Sequence, residues 1–167
     1  MKKTLVDLFE ESVRNYPNNT FLLEKTSKKY TPTTYAQVQK QVYRIGAGLQ
    51  ALGVQKGDTM ALLSEGRNMW VMGELGMFYA GAVNVPLSIK LEESNDLLFR
   101  LLHGDVKYVM VSGTQLGKIR AIKDRLTLVE KVIVFDAQQT YEEKEMSLDE
   151  LLHMGDDFLS SHTEEEF

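Results

Sequence analysis

The sequence has no cysteine, only 3 prolines and a single tryptophan in 167 residues. Without cysteine there is no disulfide staple, no zinc ribbon and no thiol nucleophile, and the composition suits a reducing compartment, so a cytoplasmic location is expected. Positive charge is also scarce. Lys and Arg number 19 against 24 Asp and Glu, a net charge of −5, which is the wrong sign for a nucleic-acid surface. Long hydrophobic runs are missing too. The longest apolar-rich stretch, Met69 to Val85, is interrupted by Glu74 and by Gly73, Gly76 and Gly81, and it is too short to cross a bilayer, leaving only peripheral membrane contact. At the N-terminus, Asp7 and Glu10 break the apolar residues before a signal-peptide core can form.

What is present is ordinary globular material, 43% hydrophobic and 26% charged. A chain of this length buries about 70% of its unfolded surface without metals or disulfides. Leu5, Leu8, Phe9, Val13 and Tyr16 mark one face of a helix opened by Thr4 and stopped near Pro17. Thr20–Lys25 and Lys29–Pro32 read as an edge hairpin around Ser27-Lys28. Thr34 and Gln37 form a capping box for a helix carrying Val38, Val42, Ile45 and Leu49, which Gly53 ends. From there strands alternate with helices: strand 59–64, helix 68–80, strand 83–85, helix 92–102, strand 108–111, helix 115–126, strand 131–135. Short apolar runs separated by helix-length amphipathic stretches call for parallel strands joined by crossover helices. The expected fold is a three-layer, doubly wound α/β domain with a mainly parallel sheet and helices on both faces. Residues 1–136 form its body. Residues 137–167 read as a polar linker plus a helix capped by Ser147 and Glu150.

In such a sheet, ligands bind beyond the carboxyl ends of the strands. The loop Ser64-Glu65-Gly66-Arg67-Asn68 offers amides at a helix N-terminus with Arg67 as counter-charge. It lacks the glycine spacing of a dinucleotide fingerprint, so an ordinary strand-to-helix turn is the simpler reading. Ser112-Gly113-Thr114-Gln115-Leu116-Gly117-Lys118 imitates a phosphate loop but has Ser112 where glycine is needed and Ile119 where Ser or Thr is needed. Ser112 or Thr114 as a helix cap is the alternative. Gly46, Gly48, Gly73 and Gly76 sit inside helical patterns and are expected to let a helix approach its sheet. His103, His153 and His162 lack zinc-site spacing. Met69, Met72, Met77 and Met110 are expected to fill core gaps rather than line an acyl pocket. The acidic runs Glu142-Glu143 and Glu164–Glu166 read as solvated faces.

Three ordered segments carry a further signal: Tyr30-Thr-Pro-Thr-Thr-Tyr35, Gly46-Ala-Gly-Leu-Gln-Ala-Leu-Gly-Val-Gln-Lys-Gly-Asp58 and Tyr79-Ala-Gly-Ala-Val-Asn-Val-Pro-Leu87. With Trp70 and Thr59-Met-Ala-Leu between them, they resemble the adenylate-forming AMP-binding enzymes over residues 4–136. The stretches Val132–Asp136 and Ser147–Gly155 resemble long-chain fatty acid–CoA ligases, the acyl-CoA synthetases. The resemblance implies the N-terminal subdomain of that fold. It also implies ATP-dependent activation of a fatty acid to an acyl-adenylate, then transfer to coenzyme A, with Mg2+ on the phosphates. Gly66 and Met69 depart from the family at positions where many members have Asn and Glu. The family's phosphate loop, adenine-binding segment, ribose-binding Asp and catalytic Lys have no counterpart in these residues. No catalytic, cofactor-binding or metal residue is therefore assigned, and this stretch is expected to be inactive by itself. The alternatives are a self-sufficient nucleotide- or phosphate-binding module using 64–68 and 112–118, a different adenylate-forming subfamily, or a scaffold that homodimerises through an exposed apolar face.

Overall fold

The computed structural model describes residues 3–162. Helix α1 (Leu5–Asn15) opens as its sequence dictates: Thr4 Oγ1 accepts from the Asp7 amide and Asp7 Oδ2 from the Thr4 amide. The hairpin β1 (Thr20–Thr26) and β2 (Lys29–Thr34) is antiparallel and turns through Ser27 at φ 55°. The same reciprocal cap starts α2 (Tyr35–Ala51) at Thr34 and Gln37, and Gly53 at φ 102° ends it in the left-handed region that glycine tolerates.

Five parallel strands make the main sheet: β3 (Thr59–Leu63), β4 (Val83–Leu87), β5 (Tyr108–Val111), β6 (Lys131–Val134) and β7 (Glu145–Ser147). Their order is β4-β3-β5-β6-β7. Helices α3 (Asn68–Tyr79), α4 (Leu98–His103), α5 (Leu116–Ile122) and α6 (Leu148–Ser161) cover both faces. Because side chains alternate along a strand, Met60, Leu62, Met110 and Ile133 enter one core with α1, α2, α3 and α6, while Ala61, Leu63, Val109, Val111 and Val134 enter a second core with α4 and α5.

The structure departs from the sequence reading in several places. Strand β4 continues to Leu87, two residues past Val85. The helix expected over 92–102 begins as a π-turn, Glu93–Leu97, closed by Leu97 N donating to Glu92 O at 2.9 Å, and becomes α-helical only at Leu98. The wide turn places Leu97, Leu98 and Leu101 all in the core. The helix expected over 115–126 ends at Ile122 and tightens into a 3-10 turn, Lys123–Arg125, which brings Leu126 and Val129 back into the core. Strand β7 lies where a polar, unpatterned stretch gives way to the last helix. It is only three residues long with Met146 alone buried, too short to show alternation. Ser147 then caps α6 by accepting from the Glu150 amide.

The helical glycines act between helices as much as against the sheet. A Cβ on Gly73 would press on Phe135 and Met110 of the sheet side, as expected. One on Gly76 would overlap Ile45 of α2, one on Gly48 the Leu151 carbonyl of α6, and one on Gly155 the Arg44 carbonyl of α2. The α2–α6 contact is clamped by Arg44, whose Nε donates to Asp156 Oδ1 at 2.7 Å and whose second nitrogen reaches the other carboxylate oxygen at 2.6 Å. A fork-to-fork pair of this kind fixes orientation as well as distance.

Candidate functional site

The chain goes from β3 out to β4 on one side, returns across β3 to β5 on the other, and continues to β6 and β7. The order reverses between β3 and β5, so the crevice that such sheets use for ligands lies beyond Leu63 and Val111. Its walls are the two loops singled out in the sequence, Ser64–Asn68 and Ser112–Lys118, and Asp136 closes it from beyond β6.

The two cations of these loops and the Asn68 and Gly113 amides are already engaged. Arg67 Nη1 donates to both oxygens of Asp136, at 2.8 and 2.9 Å. Asp136 Oδ2 also accepts from the Gly113 amide at 2.8 Å. Burial pushes the Asp136 carboxyl up, but the Gly113 amide and Arg67 together outweigh it, and the group ends below its ordinary value. At the start of α3, Arg67 stands at the N-cap without a side-chain cap, and the Asn68 amide donates at 2.8 Å to Glu24 Oε1, which arrives from the hairpin. A carboxylate of the chain itself thus sits where the helix dipole favours negative charge. Lys118 is directed away from the loop it follows: its Nζ donates to the backbone oxygens of Ile89, at 2.5 Å, and Leu91, at 3.2 Å.

Between the two loops, Gln115 Nε2 donates to Glu65 Oε1 at 2.5 Å. Burial alone would raise the Glu65 carboxyl, yet Gln115, the neighbouring Ser112 hydroxyl and Arg67 hold it below its usual value. Ser112 and Gln115 are both buried, and among the described residues Ser112 Oγ and Gln115 Oε1 have no hydrogen-bond partner of standard geometry. Neither Ser112 nor Thr114 caps α5. Its N-cap is Gln115, without a side-chain bond, and the turn is closed instead by the Gln115 and Leu116 amides donating to Ser112 O. The crevice presents carboxylates and acceptors, its arginine is paired with Asp136 and Lys118 is turned to backbone carbonyls, which is the wrong polarity for a polyphosphate.

The remaining sequence candidates fall elsewhere. His103 stacks on Phe99 at the end of α4, His162 stacks on Phe158, and His153 lies on the exposed side of α6 against the Asp149 carbonyl. Among the described residues no group of three or more His, Asp or Glu is placed to hold a metal ion. Met72, Met77 and Met110 are core residues, and Met69 is partly buried against the same cluster. Glu142 is not merely solvated: it pairs with Lys123 at 2.7 Å, beside the Arg120–Glu145 pair that ties the start of β7 to α5. Glu164–Glu166 lie outside the described residues. Glu24 and Asp136 were given no site role in the sequence, and Glu65 and Gln115 were named there only as members of their loops. The available signal was positional for Asp136 alone, a carboxylate directly following an apolar strand of a parallel sheet.

A family model described as AMP-binding enzyme matches residues 9–163. The chain belongs to the AMP-binding enzyme family. Its relatives include a long-chain-fatty-acid–CoA ligase, heimdall, of Drosophila melanogaster, 26% identical over 137 residues, which are 78% of this chain and 20% of that protein. A nonribosomal peptide synthetase, sidE, of Aspergillus fumigatus is 36% identical over 86 residues, 52% of this chain and 4% of the synthetase. In fold the chain matches a long-chain-fatty-acid-CoA ligase from Archaeoglobus fulgidus with a TM-score of 0.80 at 18% identity, covering 93% of this chain and 30% of that one. The chain spans at most about a third of these proteins, and both fatty-acid ligases and peptide synthetases are among them.

Proposed function

We propose that these residues form the first α/β layer of an ATP-dependent acid–thiol ligase of the long-chain fatty acid–CoA type, and that they act as scaffold rather than as catalyst. In the reaction envisaged, a fatty acid carboxylate oxygen attacks the α-phosphorus of ATP and pyrophosphate leaves. The acyl carbonyl is then taken by the thiol of coenzyme A, with AMP as the second leaving group. One observation carries the scaffold reading: Arg67, the Asn68 amide and Lys118, the groups best placed for phosphate, are held by Asp136, Glu24 and backbone carbonyls. Nucleotide and Mg2+ are accordingly assigned to parts of the enzyme outside residues 3–162. The fatty-acid reading is supported by the Drosophila and Archaeoglobus ligases and by the likeness of residues 147–155 to such enzymes.

ATP–pyrophosphate exchange tests both parts. The 167 residues alone should give no exchange with palmitate, and the complete gene product should give palmitate-dependent exchange and palmitoyl-CoA. Exchange by the short chain would overturn the scaffold role. Exchange driven by an amino acid but not by palmitate would move the protein to the peptide-synthetase side of its family.

A further inference from the structure

The hairpin stands apart from the rest of the chain in charge and in exposure. Between Thr20 and Thr34 there are three lysines, Lys25, Lys28 and Lys29, and one acid, Glu24, in a protein whose net charge is −5. The two faces of the hairpin are sorted. Leu22 packs into the core and Glu24 turns inward to the Asn68 amide. The strand register pairs Leu23 with Pro32 and Lys25 with Tyr30, and residues two apart or directly opposed share a face. All four are exposed, as are Lys28 and Lys29. Leu23 is 61% exposed and Tyr30 66%, the highest values among the large apolar side chains of the hairpin. None of the three lysines makes an ion pair among the described residues.

We propose that the outer face and tip of the β1–β2 hairpin form a docking surface for an anionic lipid bilayer. The chemistry is complementary at three levels. The unpaired ammonium groups meet lipid phosphates, each adding roughly a fivefold gain in partition near such a surface. Their alkyl stems and the Tyr30 ring suit the boundary between headgroup and acyl chain, where an apolar body with a polar end is at home. Leu23 supplies a purely aliphatic contact, which a polynucleotide would leave without a partner. The acidic remainder of the chain is repelled by the same surface, so the hairpin is the end that faces it. The inference is independent of the ligase reading, since neither the three lysines nor Leu23 and Tyr30 belong to the crevice.

Co-sedimentation of the 167-residue chain with vesicles of phosphatidylcholine, with and without phosphatidylglycerol, tests it. Binding is expected only to the phosphatidylglycerol vesicles and should weaken steeply with added salt. The K25E/K28E/K29E variant should lose on the order of a hundredfold in partition. L23S/Y30S should lose about tenfold while keeping the salt dependence. If the triple variant does not keep its circular dichroism spectrum, K28E alone should still lose about fivefold. Three results would overturn the proposal: no binding to either vesicle, equal binding to both, or retention of full binding by the charge-reversed variants. Tighter binding of a single-stranded oligonucleotide than of the vesicles, lost in the same variants, would assign the surface to nucleic acid instead.

Discussion

On one face of the sheet, Met60, Leu62, Met110 and Ile133 meet α2, α3 and α6. On the other, Ala61, Leu63, Val109 and Val111 meet α4 and α5. The first cover is built from helices of 17, 12 and 14 residues held together by glycine contacts at Gly48, Gly76 and Gly155. The second is built from helices of 6 and 7 residues, one begun by a π-turn and one finished by a 3-10 turn. Glycine contacts let helix backbones approach one another closely and leave no slack for an added methyl. Short irregular turns adjust residue by residue so that leucines reach the core. The same sheet is therefore covered once by backbone fit and once by side-chain fit.

The largest effect should come from breaking the first kind. Gly155→Ala drives a Cβ into the Arg44 carbonyl of α2, and neither backbone can yield without moving a helix. A loss of about 3 kcal/mol or more is expected in urea unfolding. On the other cover, a methyl added at Gly117 in α5 would meet nothing within 4 Å. Gly117→Ala should be neutral or stabilise by up to about 1 kcal/mol. A comparable loss at both positions would remove the contrast.

A smaller effect is expected where the second cover is tied to the sheet edge. Arg120 bonds Glu145, whose side chain is only 5% exposed, at 2.8 and 2.7 Å. Arg120→Ala should cost about 2 kcal/mol by leaving that buried carboxylate with only the Glu142 amide as a hydrogen-bond donor. The Arg120 guanidinium holds the Glu145 carboxyl below its ordinary 4.5. Because the folded value is the lower one, the contribution of the pair is complete above pH 4.5 and is lost as the pH falls through the folded value. In Arg120→Ala that part of the acid dependence should be absent from a series of unfolding curves. Smaller still is Arg67→Gln. Both Arg67 and Asp136 are more than a third exposed at the side chain, so the expected cost is at most about 1 kcal/mol. The sharper readout is the Asp136 carboxyl, which should titrate higher once Arg67 is removed and be followed by carboxyl carbon shifts in NMR.

The sequence was most readable where structure is local. Thr4, Thr34 and Ser147 announce their helices because a capping hydroxyl needs only the next three residues, and the alternation of Thr59–Leu63 with α3 needs only its own window. It was unreadable where one or a few residues depend on a distant partner. Arg67 looks like a free counter-charge until Asp136, 69 residues later, is folded beside it. Glu24 looks like a hairpin surface residue until it reaches Asn68. β7 has one buried side chain, so only the neighbouring β6 makes it a strand. The likeness to the AMP-binding family was legible for a different reason: it rests on ordered segments spread over the chain, and any single segment would have been weak.

The Arg44–Asp156 fork joins residues 112 apart in sequence, and that span has a meaning in time. A ribosome adding about 5–20 residues per second needs about 6 to 22 s to go from one to the other. During that interval α2 has emerged with the stripe that carries Gly48 and the Arg44 carbonyl unmatched by α6. Whatever shields nascent chains in the cell must cover that stripe until the last helix arrives, and a ribosome stalled before residue 148 would leave it bare.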